Sequence, residues 1–328
     1  MTSNCSFLVA GICALPLTLA ACGGSSETTI TPEGTHHTYV VSKASVPATD
    51  PQVREFGLDL GAKTSATPDG TLDNALGSTL SALAALNFDI QGTITTAVDT
   101  GSIILLLDFQ TKDFTNASAS GLAVKLGTGP TPAACSSPTD TVCRHHLDGS
   151  ASFKIATDSP NDPAIAGKVV NGTFTGGPGD LTLQIAIGSA TAPIKLDLLH
   201  ARAKVTGISD TGITSAIVGG LVLQTDLMTS IGPAIQTQIV GILDRDCKGA
   251  RTPPTCGCTA GTTGATVVGA LDGDISAADK NCVITTEEVL GFPVVKALLQ
   301  PDSCSMDTCA KADALGIGIK VEAVKATF

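Results

Sequence analysis

Tryptophan is absent from this chain and tyrosine occurs once, at Tyr39, so aromatic residues make up only 3% of its 328 positions. Stacking platforms for sugars or nucleobases, and the aromatic girdles of membrane-spanning barrels, need more such rings than this. Positive charge is scarce as well, since 19 Lys and Arg face 30 Asp and Glu for a formal charge of -11. That balance argues against nucleic acid and anionic headgroups as partners and makes cations the more natural ligands. Nothing before Glu27 is charged, so the whole imbalance falls on the later chain. One uncharged apolar stretch, Phe7 to Ala21, stands out. It can enter a bilayer but is too short to span one comfortably, and no second run is long enough to do so. Catalytic signatures are missing too: the chain has no Gly-x-Ser-x-Gly elbow, phosphate loop or His-Glu-x-x-His pair. Hydrophobic residues nevertheless reach 43%, enough for one large core or two modest ones.

The apolar stretch ends in Leu19-Ala20-Ala21-Cys22, with small residues at the two positions before the cysteine. This resembles the lipobox of bacterial lipoproteins. The resemblance implies that residues 1–21 are an export signal and that cleavage falls just before Cys22. It also implies that Cys22 carries a diacylglyceryl group and an acylated amino terminus. Met1 to Ser6 depart from the usual pattern in having no Lys or Arg. Gly23 rather than Asp follows the cysteine, which by the sorting rules of two-membrane bacteria implies the outer membrane. The expected partner is therefore a membrane, reached through a lipid and not through a spanning helix. A further protein or small-molecule partner is left unnamed by the sequence.

Cysteine usage fits export. Setting aside Cys5, Cys13 and Cys22 leaves eight of eleven, an even number suited to an oxidising compartment. Cys135 and Cys143 bracket one short loop and Cys304 and Cys309 another, so two local disulfides are expected. Cys247, Cys256, Cys258 and Cys282 cluster around a Pro- and Gly-rich stretch, with their pairing left open. The rival reading of these four as a zinc site lacks the two C-x-x-C knuckles such sites use.

Residues 22–52 are rich in Ser, Thr, Gly and Pro and read as a flexible tether, in which His36-His37 is a solvated pair. Leu72, Leu76, Leu80 and Leu83 recur at helical spacing, with Asp73 and Asn74 as capping groups. The period then changes to two. Phe88, Ile90 and Ile94 alternate with polar residues, and Asp99-Thr100-Gly101-Ser102 turns the chain into Ile103 to Leu107, a hairpin pattern. Alternation continues at Leu122 to Leu126, Phe153 and Ile155, Leu181 to Ile187, and Ile194 and Leu196. A helix follows, with Pro233 suited to its first turn and Ile231, Ile235, Ile239 and Leu243 on one face. Alternation returns at Leu315 to Val321. The expected class is mainly β (α+β): an antiparallel β-sandwich or open barrel with two or three short helices and a disulfide-stapled C-terminal region. The β-rich domain covers 53–245, and 246–328 is a cysteine-rich segment whose terminal strand returns to the β core.

The best chemical clue lies in Asp279, Asn281, Ile284 and Glu288. Their spacing resembles the second half of an EF-hand calcium loop, with Asp279 and Asn281 at the third and fifth positions and Glu288 at the twelfth. Ala277 stands at the first position and Cys282 where a glycine is usual, so Asp274 or Asp272 must substitute as a ligand. Calcium is the cofactor this resemblance implies. Two further segments, Asp69 to Gly77 and Asp307 to Gly316, share an Asp, small residue, Leu, Gly ending and resemble the Asp-Gly loops of calcium-binding repeats. Asp, Asn and Gly also build turns and cap helices with no metal at all, and none of these loops alone supplies the 6 to 8 oxygens calcium takes. Together the segments are similar to uncharacterised bacterial envelope lipoproteins, a resemblance that implies no activity.

Two Asp-Thr-Gly motifs, at Asp99 and Asp210, resemble the paired motifs of aspartic peptidases and supply an enzymatic alternative in which the two carboxylates share a proton. Asp-Thr-Gly is equally a good turn between strands. His145-His146, with Asp140 and Asp148 nearby, is the remaining cluster, and a polar loop stapled by Cys135 and Cys143 accounts for it. The reading of the whole chain is a lipid-anchored envelope protein that binds or supports rather than catalyses.

Overall fold

Alternating apolar residues bounded by turn formers dictate strands, and nine of them form among the described residues. The computed structural model describes residues 30–85, 89–137, 139–185, 194–253, 255–272 and 280–328. The strands are β1 (Thr35–Ser45), β2 (Leu105–Thr111), β3 (Ala117–Thr131), β4 (Ser152–Ile155), β5 (Ile165–Val170), β6 (Thr173–Ile185), β7 (Ile194–Ser209), β8 (Gly212–Leu223) and β9 (Ala314–Lys325). The helices are α1 (Asp50–Glu55), α2 (Ala75–Ala85), α3 (Ile90–Asp99), α4 (Gln224–Asp246), α5 (Thr263–Leu271), α6 (Thr286–Gly291) and α7 (Pro293–Leu298), with a 3-10 turn at His145–Leu147.

Every strand pairing is antiparallel. Each barrel strand lies beside the next in sequence, and β1 pairs with both β2 and β9, so β1-β2-β3-β5-β6-β7-β8-β9 closes on itself as an eight-stranded up-and-down barrel. Of the two expected architectures the chain adopts the barrel, closed at β1–β9. Strand β4 stands apart, pairing with the far end of β3 and touching Thr327. Its Phe153, with Leu147 and Ala151, covers Val40 and Leu106 from outside.

The inward side chains fill the barrel. Tyr39, Phe109 and Phe174 are almost fully buried, Phe109 and Phe174 meet edge to face at 5.1 Å, and the Tyr39 hydroxyl donates to the Ser209 carbonyl at 2.8 Å. Each such side chain stabilises the fold by about 1.5–3 kcal/mol relative to exposure. Lys168, Thr175, Lys195 and Lys204 are exposed on the outside. This apolar-in, polar-out order is the reverse of a lipid-facing barrel. No helix among the described residues is long and apolar enough to cross a membrane.

Three sequence expectations change. The tether cannot extend to residue 52, because β1 lies within it. Its β-branched and aromatic centre, Tyr39, Val40 and Val41, is buried, and its edges satisfy β2 and β9. His36 and His37 are accordingly strand residues. Ile90 and Ile94 belong to helix α3 rather than to a hairpin, because positions four apart share a helix face as readily as a strand face. The Asp89 side chain caps that helix by accepting from Gly92 N, and Ala97 and Val98 complete the buried stripe. Phe88 lies outside the described residues. Pro233 sits inside α4, not in its first turn, because Gln224 continues straight from β8 and starts the helix there. A proline inside a helix costs about 3 kcal/mol, which the buried face of Leu227, Ile235, Ile239 and Leu243 offsets.

Residues of the cysteine-rich segment, including Cys256, Val268, Ile284 and Leu299, belong to the same hydrophobic cluster as the barrel interior. The segment is thus not a separate core.

Candidate functional site: the loops at one end of the barrel

An antiparallel meander alternates its connections between two ends, and here the ends differ sharply. One end has the short links 112–116, 171–172 and 210–211, together with the start of β1. Asn171 and Gly172 both take positive φ, the type I′ geometry that their sequence favours. The other end carries the described residues of the long connections from β1 to β2, from β3 to β5 and from β8 to β9, and with them every helix and all four disulfides among the described residues. Loops borne on a rigid frame are where recognition residues concentrate.

The disulfides are Cys135–Cys143 and Cys304–Cys309, as expected, and Cys247–Cys258 and Cys256–Cys282, which resolve the open cluster. The geometry gathers Cys256, Asp272 and Cys282, and also Cys304, Cys309 and Asp313, to metal-binding distances. In both groups the sulfurs are spent in S–S bonds, so each offers one carboxylate and no thiolate.

Within the EF-hand-like segment, Asp274 and Asp279 lie outside the described residues. The rest is built from turn chemistry. Asp272 is fully buried and accepts from the backbone N–H of Asn281 at 3.1 Å and of Cys282 at 3.0 Å. Asn281 Oδ1 accepts from Val283 N at 2.8 Å. Glu288 accepts from Thr285 N and Oγ1 at 2.6 and 2.9 Å while its own N–H donates back to Thr285, a capping box that starts α6. Cys282 takes a φ of 64° where an EF-hand uses glycine.

The loops that carry the two look-alike segments meet in space, mostly through the residues that precede them. Ala66 N donates to Met306 O at 2.9 Å, Cys304 N to Ala62 O at 3.0 Å, and Cys309 N to Thr64 O at 3.2 Å. Their carboxylates gather backbone amides: Asp59 takes those of Asp69 and Gly70, Asp73 Oδ2 those of Leu60 and Gly61, and Asp313 that of Ser305. The loops cover the half of β9 that β1 does not reach, since β1 pairs only with Lys320 to Lys325. Asn74 is the joint. Its Oδ1 accepts from Gly77 N at 3.1 Å, capping α2, and from Gly318 N at 3.0 Å, while Nδ2 donates to Val53 O at 3.0 Å. Glycine is required at 318, because a Cβ there would lie 1.9 Å from the Phe56 carbonyl oxygen. Burial raises the Asp73 carboxyl from 3.8 to about 6, and the charges of Asp302 and Asp69 add to the effect against the Leu60 and Gly61 amides, which lower it. Burial raises Asp302 as well, and Gly316 N and the Ser303 hydroxyl bond to it.

The paired Asp-Thr-Gly motifs are not brought together. Asp99, at the end of α3, is ion-paired with Arg144, which also donates to the Ser42 carbonyl at 3.2 Å. Asp210 forms the β7–β8 turn, 3.2 Å from His37 Nδ1. Ser42 and His37 are five positions apart on β1, about 16 Å of strand, whereas a proton-sharing pair needs about 3 Å. Ser136, His145 and Asp140 form a trio by composition only. The Ser136 hydroxyl and Asp140 both meet Nε2 of His145, at 2.9 and 3.1 Å, so the ring cannot relay a proton from one to the other. His146 is buried with Nδ1 unpartnered, and burial beside Arg144 lowers its pKa.

Of the two expected caps, Asn74 caps α2 and also bonds Gly318 of β9, while Asp73 accepts instead from Leu60 and Gly61; the sequence marked neither Asp302 nor Arg144. No periodic or spacing signal marks either residue. No protein-family model, curated protein or solved structure matches the chain.

Proposed function

We propose that this chain is a lipid-anchored protein of the bacterial cell envelope, held at the outer membrane through Cys22, and that it binds or supports a partner rather than catalysing a reaction. One observation carries the reading: all eight cysteines beyond residue 30 are paired, which suits the oxidising compartment that an exported envelope protein occupies. The tether from Cys22 enters the barrel at the start of β1, on the end made of tight turns. The elaborated end therefore faces away from the membrane and is where a partner would be met. The separation of Asp99 from Asp210 weighs against the peptidase alternative.

Weak calcium binding at 272–288 belongs to the same proposal, with Asp274 and Asp279 as donors beside the carboxylate oxygen of Glu288 not used in its capping box. Detergent-phase partitioning of the full-length protein, expressed in a two-membrane bacterium, tests the anchor. The wild type should enter the detergent phase and Cys22→Ser should not. A wild type that stays in the aqueous phase removes the proposal. For calcium, the thermal midpoint should rise in excess calcium but not in magnesium, and an unchanged midpoint in calcium and in chelator removes that part.

A further inference from the structure

The long connections from β1 to β2 and from β8 to β9 meet over an open cleft of about 380 Å³. Its apolar walls are Val53 of α1, Leu72 of the loop ahead of α2, Ala75 of α2 and Ala297 of α7. Asp302, from the loop ahead of β9, is the charged residue of its lining. Small-molecule sites have volumes in this range and set a few placed polar groups among apolar walls. Leu72 is 60% exposed on its wall, an apolar surface that a ligand would cover.

The polar lining has mostly turned its hydrogens back on the fold and kept its oxygens. The Ser78 hydroxyl donates to the Asn74 carbonyl and the Thr79 hydroxyl to the Ala75 carbonyl, each at 3.3 Å. Gln300 Nε2 donates to the Lys296 carbonyl at 3.1 Å, and Asn74 spends both ends of its amide on Val53, Gly77 and Gly318. The Asp302 carboxylate accepts from Gly316 N and from the Ser303 hydroxyl, which occupies two of its roughly four acceptor positions. Lys63 acts on it without forming an ion pair.

The lining therefore offers acceptor oxygens of Asp302, Ser78 and Gln300 beside aliphatic side chains. A matching ligand brings positive charge and several donors at one end and carbon at the other. An anion would face Asp302 unpaired, and a metal ion would find one carboxylate where it needs several oxygens. We propose that the cleft binds a primary ammonium on an aliphatic stem, with Asp302 taking the charge and Val53, Leu72, Ala75 and Ala297 the stem. This rests on the reading of the looped end as the end that binds, and it gives that end a ligand class.

Titration of the full chain with n-pentylammonium at pH 7 and fixed ionic strength, followed by amide and methyl NMR shifts, tests the cleft. Saturable shifts should fall on Leu72, Ala75 and Ala297 and spare β6 and β7. n-Pentanol keeps the stem without the charge and should bind at least about ten-fold more weakly, as should the amine to Asp302→Asn. Ala297 is exposed on α7, so Ala297→Phe fills the cleft without touching the core and should abolish binding even where Asp302→Asn fails to fold. Nα-acetyl-lysine methylamide separates the sources of such a group: tighter binding than the free amine points to a lysine of a partner protein, and weaker binding to a small amine. The titration needs no membrane, so its failure leaves the lipid anchor standing, and an unlipidated Cys22 leaves the cleft standing. No saturable shift at these residues, pentanol binding as tightly as the amine, or unchanged binding in folded Ala297→Phe or Asp302→Asn would overturn the proposal.

Discussion

Replacing Asn74 with alanine removes a joint between three elements, and its cost can be worked out bond by bond. The side chain accepts from Gly77 N, accepts from Gly318 N and donates to Val53 O, and the residue is 5% exposed. Losing a helix cap costs about 1 kcal/mol. Leaving the Gly318 N–H buried without an acceptor costs about 1–3 kcal/mol, and the part-buried Val53 carbonyl adds less. Asn74→Ala should therefore destabilise by about 3–4 kcal/mol, read as a lower urea midpoint at unchanged slope. Asn74→Asp sharpens the test. It keeps the acceptor oxygen but sets a second oxygen against the Val53 carbonyl and a charge beside Asp73. Burial and that charge raise the new carboxyl's folded-state pKa, so its stability is present at low pH and lost as pH rises. Measured against wild type, Asn74→Asp should be severe at pH 7.5 and mild at pH 4.5, where a protonated oxygen can donate to Val53. An Asn74→Ala variant within about 1 kcal/mol of wild type, or a pH-independent Asn74→Asp, would refute this account of the joint.

Further expectations follow from packing and covalent closure. Phe174→Ala should cost about 3–5 kcal/mol in chemical unfolding, because Phe174 is fully buried against Phe109 in the barrel interior. Tyr39→Phe should cost about 1 kcal/mol, the net worth of one hydrogen bond to the Ser209 carbonyl, with no change in the fold by circular dichroism. Paired replacement of Cys256 and Cys282 by alanine, which opens a separation of 26 residues, should cost about 3.5 kcal/mol by loop entropy. Opening Cys304–Cys309, a separation of 5, should cost about 2 kcal/mol, and the order of the two unfolding midpoints checks the argument.

Much of the barrel was legible in the sequence, for physical reasons that also explain what was not. Strands β3, β6 and β7 bury one face, so their period of two is written plainly in Leu122 to Leu126 and in Leu181 and Leu183, whereas β9 is buried on both faces from Ala314 to Ile319 and alternates in sequence only because Gly316 and Gly318 make room for the covering loops. Strand β1 was hidden because it buries both faces at Tyr39 to Ser42 and is flanked by Ser, Thr and Pro, which blur any alternation. Helix α3 was hidden because Ile90 and Ile94 satisfy two periods at once. The isolated cysteine pairs were readable from their spacing, whereas Cys247–Cys258 and Cys256–Cys282 depend on how α4 and α5 pack. At the candidate site, the capping role of Asn74 follows from its place before α2. The contacts of Asp73 with Gly316 and of Asn74 with Gly318 come from a strand more than 240 positions away, beyond any local pattern.

In the proposed arrangement the chain is held at a membrane through a lipid on Cys22. Mass spectrometry of the N-terminal peptide from membrane-associated protein tests it most directly. The expected peptide begins at Cys22 and carries a diacylglyceryl group and an acylated amine. A peptide that retains residues before Cys22, or an unmodified Cys22, would contradict it.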